Sequence, residues 1–260
     1  IVREAFRGVK EPTIIGSFGM QQKIAALVAC AVDDEKEAEE ALTWLCNSSK
    51  TTFAPYVDPI YGTEVDLHID NTGGELLEKY VNDIDHDGFG CEVGLGYNRI
   101  WFRSSIDIAE ILKNCKSTKL DLYQNPRFLK MFQSFIKETV GSGISLAIGD
   151  SGYPVNGMSP CAEEMLRGYA VTKDPKLAQN YYYYVDGDLS KVDLDMLTPA
   201  EAEQLASDIQ KDVETYGELQ FESENLTGFG LAVLREGQHK KDAPKQYDAW
   251  MYYLGYFGHW

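Results

Sequence analysis

The sequence predicts a mainly helical protein that closes with a few short antiparallel strands. Three observations predict it. Apolar residues recur at three- and four-residue spacing through most of the chain up to Tyr216, the Gly/Pro/Asn clusters between them are short, and after Tyr216 the pattern changes to brief β-branched and aromatic runs. This change of composition predicts two domains, 1–216 and 217–260.

Taken in order, Gln21 to Val32 is apolar on several sides and predicts a buried helix. Glu35 to Cys46 follows the Asp33-Asp34 turn as an amphipathic helix, and the two form an αα-hairpin. Thr51 to Asn71 carries Pro55, Pro59 and Gly62 without a clear period and predicts a long irregular loop. Gly74 to Ile84 is a further helix, and the glycine-rich stretch Asp85 to Gly96 is a loop feeding a long helix over Tyr97 to Asn114. Helices are predicted at Pro126 to Thr139, Pro160 to Thr172 and Pro175 to Tyr184, each opened by proline in its first turn. Thr198-Pro199-Ala200-Glu201 is a capping box that starts a helix running to about Val213. Strands are predicted at Glu218 to Glu222, Gly230 to Glu236 and Trp250 to Phe257, with Gly237 to Gln246 connecting the last two. So short a β region cannot close an independent sandwich.

With 24 Lys+Arg against 41 Asp+Glu the net charge is −17, a field that repels nucleic acid and anionic membrane from most of the surface. An anionic ligand therefore needs a local cluster of cations in a cleft. The longest apolar run, Ile24 to Val32, is far shorter than the ~20 residues of a membrane-spanning helix. The start at Ile1 lacks a basic-then-apolar signal pattern and is expected to mark a processed or truncated product. Cys30, Cys46, Cys91, Cys115 and Cys161 are an odd number without a CxxC pair, which argues against a disulfide framework and a cysteine zinc site; most are expected to be buried thiols.

Several short motifs have a bland explanation. Asp83-Ile84-Asp85-His86-Asp87-Gly88 matches the start of a calcium-binding EF-hand loop, but position twelve is Gly94 where a bidentate Glu is required, so an Asx-rich turn is expected. Gly149-Asp150-Ser151-Gly152 matches a serine-protease nucleophile string in a helical setting that lacks the partners of a triad; a tight turn exposing Asp150 and Ser151 is expected. The run Tyr181 to Tyr184 predicts packing, and the acidic residues between Asp33 and Glu40 a solvated helix start. Asn47-Ser48-Ser49 and Asn225-Leu226-Thr227 fit the glycosylation pattern, which matters only in a eukaryotic secretory setting.

The most informative segment is Asp87-Gly88-Phe89-Gly90-Cys91-Glu92-Val93-Gly94-Leu95-Gly96-Tyr97-Asn98. It resembles the heparinase II/III-like polysaccharide lyases, in which a glycine-rich loop with an acidic residue leads into a Gly-Tyr pair at the head of a helix. Gly16-Ser17-Phe18-Gly19-Met20-Gln21-Gln22, Ile148-Gly149-Asp150-Ser151-Gly152, and the strands Gly228 to Glu236 and Trp250 to Trp260 resemble further segments of that family in the same order. The resemblance implies an incomplete (α/α) toroid of helical hairpins followed by the first antiparallel strands of a β-sandwich, the chain beginning inside the toroid and stopping early in the sandwich.

The activity implied is β-elimination on an acidic, uronate-containing polysaccharide such as a bacterial glycosaminoglycan, in the periplasm or secreted. A base removes the C5 proton α to the carboxylate, and an acid protonates the departing O4. Tyr97 is the candidate for proton transfer, since a phenol suits delivery to an oxygen leaving group and acts as base where cations depress its pKa. Gln21 and Gln22 stand where the family places a carboxylate-neutralising amide or imidazole; Gln donates a hydrogen bond but cannot serve as base. His259 matches the first His of a Gly-His-x-His strand and is a candidate base or sugar contact. Glu92, Asn98, Arg99, Arg103 and Asp150 are candidate substrate contacts, with Arg3 and Arg7 as further local cations. No cofactor is expected; zinc would need residues beyond Trp260, since four scattered histidines cannot build a tetrahedral shell. Two rival expectations are an (α/α) glycoside hydrolase with Glu92 and Asp150 as paired carboxylates, which tolerates an acidic surface, and a non-catalytic carbohydrate-binding toroid.

Overall fold

The computed structural model describes residues 1–10, 19–49, 53–68, 72–90, 95–140, 144–145, 148, 162–194, 197–236 and 247–252. The protein is mainly helical, with three small antiparallel sheets among the described residues. It divides into two compact units, 1–83 with 100–122, and 84–99 with 123–260. These units cut the chain at places other than the composition change after Tyr216, and the C-terminal strands share a unit with helices.

In the first unit, α1 (Val2–Val9), for which the sequence reading proposed no element, buries Phe6 and Val9. Phe6 meets Trp44 edge-on, centroids 5.9 Å apart. Helices α2 (Met20–Ala31) and α3 (Glu35–Cys46) form the expected hairpin. Asp34 caps α3, its Oδ1 accepting from the Lys36 and Glu37 amides at 3.0 and 3.1 Å. Ala25, Ala26 and Ala29 on one helix and Ala38 and Ala41 on the other are buried, small side chains that let two backbones approach closely. After α4 (Leu76–Asn82), the part of α5 (Leu95–Lys113) from Ile100 onward completes this core, Trp101 stacking on the buried Tyr80 at 5.6 Å. Burial pushes the Tyr80 hydroxyl far above its ordinary pKa. Gly19, at φ +76, precedes α2 because a Cβ there would lie 2.6 Å from the Trp101 ring.

The irregular loop expected over Thr51 to Asn71 is instead largely a hairpin, β1 (Phe53–Val57) against antiparallel β2 (Glu64–His68). Pro55 and Pro59 hid it. A two-stranded sheet has only edges, where proline is tolerated, and Pro59 lies in the turn. There Asp58 Oδ1 accepts the Ile60 and Tyr61 amides at 2.7 and 2.9 Å.

In the second unit, α6 (Pro126–Lys137), α8 (Pro175–Tyr184) and α9 (Pro199–Tyr216) follow the expected pattern, as does α7 (Ala162–Thr172) over its described length; Pro160 lies outside the described residues. Asn125, Asp174 and Thr198 cap three of them, Thr198 and Glu201 forming the capping box in both directions. Gly168 lets α7 close on its neighbours, since a Cβ there would meet the Phe132 ring at 2.5 Å. Tyr169 donates to Asp212 Oδ2 at 2.8 Å and ties α7 to α9. Tyr181 is buried, as packing of the tyrosine run requires.

Short strands β3 (Thr139–Val140) and β4 (Ile144–Ser145) pair, and β5 (Glu224–Leu226), β6 (Leu231–Glu236) and β7 (Tyr247–Tyr252) make an antiparallel meander. Glu218 to Glu222 is not a strand. Leu219 and Phe221 are buried between exposed Glu218, Gln220 and Glu222, so the alternation reflects packing, with no pairing strand among the described residues. The strand expected from Trp250 begins earlier, at Tyr247, in register with Glu236; Gly237 to Gln246 and the positions from Tyr253 to Phe257 lie outside the described residues. Phe89, Ile148, Leu226, Phe229, Leu231 and Val233 form one buried apolar cluster, with Phe89 stacked on Phe229 at 4.3 Å.

Candidate active site

The segment from Asp85 to Phe89 is fixed before α5 begins. Asp85 Oδ1 accepts from the amides of Asp87, Gly88 and Phe89 at 2.8, 2.7 and 3.0 Å. This is the Asx turn, with the carboxylate oxygen spent on backbone amides. Burial raises the Asp85 pKa, opposed in part by those amides. The turn is tied to α6 by Arg127 Nη1 on the Ile84 carbonyl and Lys130 Nζ on the His86 carbonyl, both 3.0 Å. Asp87 Oδ2 accepts from the Gly228 amide, and His86 Nε2 lies 2.8 Å from Thr227 Oγ1. Gly88, at φ +100, is required because a Cβ would sit 2.4 Å from the Lys130 carbonyl oxygen.

Helix α5 starts two residues before Tyr97, which is 38 % exposed in the first turn. Asn98 beside it is 2 % exposed and makes its interactions inside the protein, which suits a polar residue of the helix start better than a sugar contact. Arg99 is half-buried with its Nε 3.8 Å from Glu164 Oε1 on α7, a carboxylate whose side chain is 5 % exposed. One turn further along α7, Arg167 pairs with Glu163 at 2.9 Å. The Arg99 charge is therefore matched by a buried carboxylate.

Tyr97, Asn98 and Arg99 belong to the second unit, and Gln21, Gln22 and Arg103 to the first. Gln21 and Gln22 are both buried. Gln22 Nε2 donates to the Gly74 carbonyl at 2.8 Å, which commits one of its two N–H groups to joining α2 to the approach of α4. Arg103 is exposed on α5. Glu92, Asp150 and His259 lie outside the described residues, as does the Gly-Asp-Ser-Gly string. Sequence reasoning missed Glu164. Its only signal is an acidic pair, Glu163-Glu164, in the first turn of a helix, which reads as dipole complementation.

Among the described residues no group of three or more His, Cys, Asp or Glu side chains is placed to hold a metal ion, and no helix is long and apolar enough to cross a membrane. Chemically, the first turn of α5 carries an exposed tyrosine, whose phenol can give or accept one proton, and, two residues on, a guanidinium matched by a buried acid. No family model, curated protein or solved structure matches this chain.

Proposed function

We propose that the chain carries part of the catalytic machinery of a lyase that cleaves an acidic, uronate-containing polysaccharide by β-elimination, on an (α/α)-toroid scaffold leading into a β-sandwich. Tyr97 transfers the proton. Its hydroxyl accepts the C5 hydrogen as phenolate or donates to O4 as phenol; the C5 electron pair forms the C4=C5 double bond while the C4–O4 bond breaks. The intermediate concentrates negative charge on the substrate carboxylate, and each well-placed donor there is worth about 3 kcal/mol. Arg99, in the same unit as Tyr97, is the donor on this proposal, with Glu92 and Asp150 as further sugar contacts and His259 as a sugar contact or the base. The proposal places the protein in the periplasm or outside a bacterial cell.

The observation that supports it is the exposure of Tyr97 on the first turn of α5 while its neighbours Asn98 and Arg99 are held inward. The test is to incubate the 260-residue chain with unsulfated glucuronate–N-acetylglucosamine, galacturonate and mannuronate polymers and follow ultraviolet absorbance of the C4=C5 product. Absorbance that appears with the native chain and disappears in a folded Tyr97→Phe variant supports the proposal. Saturated reducing ends mean hydrolysis, and binding without cleavage means a carbohydrate-binding module; either overturns it.

A further inference from the structure

A groove of about 270 Å³ opens in the second unit between α6, α8 and the segment that links α9 to β5. None of the residues of the Tyr97 turn lines it. Its helical wall carries Lys137, the last residue of α6, and Lys176, in the first turn of α8. The facing wall carries Glu218, Glu222 and Glu224. Opposite charges thus line one groove, yet among the described residues neither ammonium is paired with a carboxylate. Lys176 is also placed where a helix dipole disfavours a cation.

The walls are held in place. Arg235 donates to the carbonyls of Lys137 and Glu222, one on each side, and to that of Thr139 at 2.8 Å. Gln179 Nε2 donates to the Gly217 carbonyl at 2.9 Å, leaving its Oε1 as an acceptor. Tyr216, 62 % exposed, also lines the groove. The volume is small for a ligand pocket and suits one sugar ring.

We propose that this groove is a second saccharide subsite that takes a uronate ring. The lysines receive the ring carboxylate, the glutamates and Gln179 accept from its hydroxyls, and Tyr216 covers its C–H face. A ligand with an anionic edge and a hydroxyl-donating edge is what two walls of opposite sign complement; a simple anion leaves the acidic wall unanswered. The choice of a sugar rests on the polysaccharide reading above, while the choice of an acidic ring rests on the two walls.

Calorimetric titration of the 260-residue chain carrying Tyr97→Phe, which prevents turnover, tests the groove apart from the chemistry. The probes are glucuronate–N-acetylglucosamine, galacturonate and mannuronate tetrasaccharides and their carboxyl-reduced forms. The Lys137→Gln/Lys176→Gln pair is expected to weaken binding of one acidic probe at least tenfold, the loss expected for a charge-assisted hydrogen bond. Carboxyl reduction should weaken the parent by a similar factor and the double variant little further. Glu222→Gln should weaken acidic and reduced probes alike. Equal affinity of parent and double variant, equal affinity for acidic and reduced probes, or no binding of any acidic probe overturns the subsite. Failure of the lyase reading shows separately, as the absence of C4=C5 absorbance with the unsubstituted chain.

Discussion

The Asp87 carboxylate accepts a hydrogen bond from the Gly228 amide at 2.7 Å, across 141 residues of sequence. A Cβ on Gly228 would lie 2.9 Å from Asp85 Cγ, so the turn before α5 and the β5–β6 connection are in van der Waals contact with no room for a side chain.

Gly228→Ala must therefore push the two loops apart. Overpacking of this kind costs about 1–3 kcal/mol. Urea unfolding should show that loss, and an unchanged midpoint would mean that the loops yield freely. The same displacement reaches Phe89, stacked on Phe229, so loss of near-ultraviolet aromatic dichroism should accompany it.

Asp85 gives stability a specific pH dependence. Its folded pKa is raised, with burial the leading cause, so the protonated form is favoured in the fold. A raised folded value means a contribution fully present below the unfolded value of about 3.9 and lost as pH rises through the folded one. Asp85→Asn keeps an oxygen for the three amides and removes the titration. The variant should thus gain stability relative to the native chain between pH 4 and pH 7 in paired urea titrations. A difference that stays constant across that range counts against a raised Asp85.

Arg99 and Glu164 are expected to be energetically coupled. Removing one partner of a buried pair leaves the other charge poorly compensated and typically costs about 3–5 kcal/mol, whereas removing both costs less than the sum. Arg99→Met, Glu164→Gln and the double variant form the cycle, read by thermal unfolding. Additivity within ~0.5 kcal/mol would show that the 3.8 Å approach carries no coupling.

Cys30 should be a slow thiol although its residue surface is exposed. Burial pushes the sulfur up to about 12, reinforced by the hydrogen bond and charge of Cys115, and Sγ donates to the Ile111 carbonyl. Since the thiolate is the nucleophile, iodoacetamide at pH 8 should label Cys30 at least about tenfold more slowly than in the urea-unfolded chain. Equal rates would overturn this.

Elements governed by neighbours in sequence were legible without coordinates. Helices α3 and α8 fall at their expected limits, because Asp34 and Asp174 place acceptors against the first free amides and the apolar stripe does the rest. The capping box of α9 is another local device; its helix runs three residues beyond Val213 to Tyr216, since helix ends carry few sequence signals of comparable strength. The Asx turn at Asp85 was legible for the same reason.

What depended on partners far along the chain was not. The β1–β2 hairpin was masked by prolines that only a partner strand makes acceptable, and Glu218 to Glu222 alternates like a strand but pairs with no strand among the described residues. In the candidate site, the exposure of Tyr97 and the matching of Arg99 by Glu164 were not legible, because they depend on Glu164 of α7 approaching the first turn of α5. The sequence by itself determined helical class, helix starts and the turn chemistry, because backbone capping and periodicity act over a few residues. Only the tertiary structure decided which charges are paired, which amides are spent and which ring stays exposed, because those outcomes depend on distances between segments that local chemistry does not encode.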